Sequence, residues 1–151
     1  MTEIKIEIEN IKEIKAALRK SPAVMTKNLN TAIKKTIFII RARSVRNAPA
    51  RTGNLRGSAY SSFKPLQGEM GFRANYAVYV HDGTDAYTIR PSKAQALFWK
   101  GARHPVKRVR HPGIKANPFL RKAVDQSNVS IRRNFTEAVE ETLAQIGKDS
   151  K

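Results

Sequence analysis

From Ser21 to Asn47 the chain reads SPAVMTKNLNTAIKKTIFIIRARSVRN. Leu29, Ile33, Ile37, Ile40 and Ser44 recur at helical spacing, with Ala32, Thr36 and Val45 beside them. That period predicts a helix with one apolar stripe. Ser21 suits the N-cap and Pro22 the first helical position, where a missing N–H costs nothing. Lys27, Lys34, Lys35, Arg41, Arg43 and Arg46 take the other faces. Phe38 and Ile39 widen the stripe toward its end, so the second half of the helix is expected to be the more buried. Pro49 cannot continue the helix, and Gly53 and Gly57 after it offer turn geometry.

Upstream, residues 3–9 alternate between charged residues and isoleucine, the period of a half-buried strand. Asn10 is placed to cap a short helix carrying Ile11, Ile14 and Leu18. Downstream, Ser58–Lys64 and Glu69–Ala74 are strand candidates, with Pro65 to Gly68 as a hairpin turn. Tyr76–Val80 suits a third strand or a single helical turn. Tyr87–Ile89, Ala94–Lys100 and Val106–His111 are further strand candidates, the last so basic that it belongs at an edge or on a solvent-facing ribbon. Asn117-Pro118 opens a final helix with the stripe Phe119, Leu120, Ala123, Val124, Ser127, Ile131, Phe135, Ala138, Val139 and Ile146, and Gly147 suits its C-cap. Strands and helices are segregated, which predicts an α+β fold. The expectation is a small antiparallel sheet packed against the long first helix and the C-terminal one. A chain of 151 residues reads as a single domain, 1–151, with strand 3–9 and tail 147–151 the parts freest to move.

The charge is uneven. Lys and Arg number 29 against 12 Asp and Glu, a net +17. Residues 1–13 hold four acids and two bases, and residues 137–151 hold the same, which leaves the middle at +21. A basic body with acidic ends predicts a polyanionic or acidic partner, and it lets the ends of one copy meet the middle of another. The absence of cysteine removes disulfides and thiolate metal sites. No apolar run reaches the roughly 18 residues of a membrane span, and no signal peptide is visible, so a soluble chain without membrane contact is expected.

Catalytic groupings are sparse. His81, His104 and His111 have no metal-ligand spacing. Glu69, Asp82 and Asp85 are the only acids between residues 14 and 124, which leaves little for carboxylate chemistry. His104, Lys107, Arg108, Arg110 and His111 are the one set that a basic nuclease would draw on, and only closeness in sequence unites them. Arg51–Gly57 lacks the Gly-Lys-Ser/Thr ending of a phosphate loop. No catalytic residue, metal or cofactor is therefore expected. Lys100, Arg103, Lys107, Arg108, Arg110 and Lys115 form an acid-free run that is expected to face DNA through phosphate contacts without sequence preference. Phe98 and Trp99, beside Ala96 and Leu97, are expected in the core rather than as stacking platforms.

Four pieces in order carry a resemblance. They are the long helix ending in Ala48-Pro49 with Arg51-Thr52-Gly53-Asn54-Leu55-Arg56; Tyr76-Ala77-Val78-Tyr79-Val80 with Asp82-Gly83-Thr84; Ala96-Leu97-Phe98-Trp99; and His111-Pro112-Gly113-Ile114 with Asn117-Pro118-Phe119-Leu120. Together they resemble the tail-completion or minor tail protein Z-like family of long-tailed bacteriophages, which includes head–tail joining proteins. Ala50 and His81-Asp82 depart from the family's usual pattern. The resemblance implies a phage or prophage virion protein without enzyme activity, found at the tail or head–tail junction after assembly in the host cytoplasm. It implies a homo-oligomeric ring, a hexamer among the options, against connector, tail-terminator or tail-tube proteins, with transient DNA contact. The residues expected at such interfaces are Arg51, Thr52, Gly53, Leu55, Arg56, Tyr76, Tyr79, His81, Asp82, Gly83, Thr84, Pro112 and Gly113. The alternative expectation is a sequence-independent nucleic-acid-binding protein.

Overall fold

The computed structural model describes residues 2–7 and 22–148. The expected short helix with Ile11, Ile14 and Leu18, the Ser21 cap, the last two residues of strand 3–9 and residues 149–151 lie outside the described residues. The elements in order are β1 (Thr2–Glu7), α1 (Pro22–Asn47), α2 (Asn54–Gly57), β2 (Ala59–Lys64), β3 (Gln67–Phe72), α3 (Ala77–Asp82), β4 (Tyr87–Ile89), β5 (Val109–His111) and α4 (Phe119–Lys148). The fold is α+β. One antiparallel sheet has the order β1-β3-β2, and β4 and β5 form a separate antiparallel ribbon.

Helix α1 is the centre of the molecule. Met25, Leu29, Ala32, Ile33, Thr36, Ile37, Ile40 and Ser44 are buried along its whole length, so its second half is no more covered than its first. Phe38 does not widen the stripe. It is 52% exposed and leans on Phe63 of β2 with ring centroids 5.5 Å apart. The sheet lies beneath Ile33 and Ile37, and this approach explains Gly68. That residue is not in the turn, as the sequence reading has it, but in β3. A Cβ there would come 2.6 Å from Ile33 Cγ2 and 2.8 Å from Ile37 Cγ1. Only a strand without a side chain at that point lets the helix settle so close. The hairpin turn is accordingly just Pro65-Leu66, with Lys64 paired to Gln67. Leu66 adopts a left-handed φ of 59°, and Asn30 Oδ1 on α1 holds its N–H at 2.7 Å.

Helix α4 packs antiparallel on the other side of α1, and polar pairs set its register. Asn28 donates to Thr142 at 2.9 Å, Asn134 to Thr36 at 3.2 Å, and Arg43 to Ser127 at 3.1 Å. The Thr142 and Ser127 hydroxyls donate to carbonyls one turn back, Ala138 O and Ala123 O, which leaves their lone pairs for the facing helix. Buried polar groups paired in this way cost little, whereas a slip in register would orphan several at once. Phe119, Leu120 and Ala123 close the core against Phe72, whose ring meets Phe119 edge-on at 5.0 Å. Val139, expected in the buried stripe, is 36% exposed, and α4 runs through Gly147 to Lys148 rather than ending there.

Candidate interface

The end of the molecule where α1 stops and α4 starts gathers most of the expected interface residues. Arg56 folds back on α1, its Nε donating to Ala48 O at 2.8 Å and its Nη2 to Arg46 O at 3.1 Å. Those carbonyls lie at the helix end, where no intrahelical partner remains. Leu55 is buried at 4%. Both residues serve the fold, while Arg51, Thr52 and Gly53 stay exposed. With Pro49, Leu55, Tyr76 and Val80 they line a hollow of about 350 Å³.

Tyr76–Val80 takes the helical alternative and becomes α3, with Tyr76 40% and Tyr79 54% exposed. His81 turns inward. Its ring meets Phe119 edge-on at 5.2 Å, and Nδ1 lies 2.5 Å from Asp82 Oδ1. Its Nε2 is buried with no hydrogen-bond partner among the described residues. Beyond α3 two segments cross. Thr84 N–H donates to Ile114 O at 2.9 Å and Ile114 N–H to Thr84 O at 3.1 Å. Gly83 and Gly113 have φ of 81° and 86°. A Cβ on Gly113 would sit 2.2 Å from Thr84 O, and one on Gly83 would sit 2.7 Å from Ile114 O. These glycines therefore have a reason inside the chain itself, a crossing too tight for any side chain. Asn117 N–H donates to Val80 O at 3.0 Å and binds the crossing to α3. Pro112 remains exposed.

The segment between the two crossing strands is an arm. Tyr87 pairs with His111, Thr88 with Arg110 and Ile89 with Val109. Farther out, Leu97 and Val106 exchange hydrogen bonds of 2.8 and 3.0 Å. Ala94–Lys100, expected as a strand, contributes only this single bridge. Phe98 and Trp99 are not in the core. They are 67% and 50% exposed, because no second layer among the described residues covers them.

Because successive residues of a strand face opposite ways, the ribbon has two unlike sides. Tyr87 stacks on the His111 ring at 4.8 Å on one side, and Ile89 and Val109 share that side. Ile89, Val109, Leu97, Phe98 and Trp99 line an apolar groove of about 340 Å³. Thr88, Arg108 and Arg110 take the opposite side, along a second hollow of about 530 Å³ that Ala86 and Tyr87 complete. All six cations expected to face DNA are exposed, five on the arm and Lys115 just past the crossing. His104 is exposed, and His111 Nδ1 accepts the Gly113 N–H at 3.1 Å, while Arg108 and Arg110 share the second hollow. Among the described residues no three His, Cys, Asp or Glu gather in a way that could hold a metal ion, and no helix is long and apolar enough to cross a membrane.

Sequence reasoning missed the groove. Its signal was the period-two pairing of Tyr87 with Ile89 and of Val109 with His111, which marks a one-sided ribbon. Compared with family models, curated proteins and solved structures, the chain matches none.

Proposed function

We propose that this is a structural protein of a tailed phage or prophage virion, one that completes the tail or joins it to the head as a homo-oligomeric ring. One observation carries the reading. Three of the stretches that bear the resemblance, far apart in sequence, close on one another at one end of the body. Arg51–Gly53 and Tyr76 share a hollow, Val80 binds Asn117, and Thr84 binds Ile114. The fourth stretch, with Phe98 and Trp99, stands exposed on the arm. Exposed aromatics beside cations suit recognition of another macromolecule. The partners on this reading are further copies of the chain and the connector, terminator or tail-tube proteins at the junction, with DNA passing nearby. Bond-making chemistry has no part in it. Mass spectrometry of virions from the source tests the reading: the protein is expected at a fixed copy number per particle, and its absence from particles would overturn it.

A second reading, sequence-independent nucleic-acid binding, gains support from the same exposure, since Phe98 and Trp99 are free to stack on bases. Titration with duplex and single-stranded DNA at rising salt separates the two. Tight binding with a steep salt slope favours this second reading.

A further inference from the structure

We propose that the arginine side of the ribbon binds the phosphate backbone of duplex DNA. The inference rests on the reading above in which DNA passes nearby, and it names the face and the side chains that meet it.

Thr88, Arg108 and Arg110 line the hollow of about 530 Å³, and Arg90, two residues beyond Thr88, continues that side by alternation. Like charges held side by side on a ribbon are a cost to the fold. The arginines of the body are placed otherwise. Arg41 donates to Ala59 O, Arg43 to Ser127 Oγ and Arg56 to Ala48 O. Arg90, Arg108 and Arg110 are exposed and have no hydrogen bond or ion pair among the described residues. No acid stands in the sequence between Asp85 and Asp125 to neutralise them. Their partner is therefore an anion from outside the chain.

The chemistry of the face favours phosphate. Its cations are arginines, whose planar forks match phosphate oxygens two at a time. The one aromatic at the hollow, Tyr87, stacks on His111 instead. A polar, strongly positive surface has the character of a protein–DNA contact, whereas a protein partner wants apolar anchors at the centre. Phe98 and Trp99 line the groove on the other side, so contact here is to the backbone and blind to sequence. The six cations expected to face DNA are thereby sorted. Arg108 and Arg110 belong to this face, Arg90 joins them, and Lys107 alternates to the other side.

Titration of the full chain with a fluorescently labelled duplex of mixed sequence, at several salt concentrations, tests the face. Three phosphate contacts per chain give weak binding with a log–log salt slope of about −3, at roughly 0.9 per phosphate. Arg108→Gln with Arg110→Gln is expected to weaken binding about tenfold or more at low salt and to flatten the slope by about 2, with circular dichroism unchanged. Lys100→Gln with Lys107→Gln removes the same charge from the same arm and is expected to cause the smaller loss. Equal losses from the two pairs reduce the effect to net charge and overturn the face, and so does a duplex that fails to bind at low salt. Trp99 emission is expected to stay constant as duplex binds. Quenching by single-stranded DNA without binding of duplex assigns the contact to bases and overturns the proposal. Polyglutamate that displaces the duplex at equal charge assigns the face to an acidic protein and overturns it too. Each of these failures leaves the virion reading standing, and absence from virions defeats that reading alone.

Discussion

The helical body and the basic arm use the same kinds of side chain to opposite ends. In the body, Ile33, Ile37, Phe72 and Phe119 are at most 1% exposed, because α1 has the sheet on one side and α4 on the other. In the arm, Tyr87, Phe98 and Trp99 are half exposed or more. Its strands of three residues form a separate ribbon on which no other described element is stacked. A large apolar side chain stabilises a fold only where a second layer removes it from water. In the arm the equivalent area is unspent and available to a partner. The arm owes its position to the glycine crossing at its base rather than to a core of its own.

Substitutions probe that contrast. Phe72→Ala empties the centre of the body and is expected to cost about 3–5 kcal/mol in urea denaturation; a loss below 1 kcal/mol would mean that the core collapses easily around the gap. Gly68→Ala presses a methyl group against two β-branched side chains that have little room to turn, at a cost of about 1–3 kcal/mol. Gly113→Ala combines a left-handed backbone, about 1–3 kcal/mol by itself, with a Cβ pressed on the Thr84 carbonyl, so it is expected to open the crossing. Its effect should be local: amide hydrogen exchange at Thr84 and Ile114 accelerates while α1 and α4 keep their protection. Phe98→Ala should change stability by no more than about 0.5 kcal/mol, as an exposed position does. A larger cost would show that the arm carries a core after all and would erase the distinction.

Periodicity made the body legible. The α1 stripe, the two-strand hairpin, the start of α4 and the α+β class all follow from apolar spacing and proline-led helix starts. What escaped has a physical reason in each case. Gly68 has a turn residue's identity, but an approaching helix put it in a strand. Asn134 and Thr142 are polar and therefore absent from any apolar stripe, yet α1 offers each a partner. Ala96-Leu97-Phe98-Trp99 reads as core because apolar runs normally find cover, and the exposure of Phe98 and Trp99 is a property of the tertiary arrangement alone. The expected interface residues divided along similar lines. Arg56, Leu55, Gly83 and Gly113 are occupied within the chain, whereas Arg51, Thr52, Tyr76, Tyr79 and Pro112 remain open.

The antiparallel seating of α1 against α4 bears on how the protein is made. The hairpin of β2 and β3 pairs residues close in sequence, but Met25, Leu29 and Ala32 wait for Ala138, which is translated more than a hundred residues later. During synthesis that flank of α1 is bare, the condition in which nascent chains attract chaperones. A ribosome stalled shortly before Asn134 would hold a half-clad helix, and premature termination there would yield a sticky fragment rather than a smaller soluble protein.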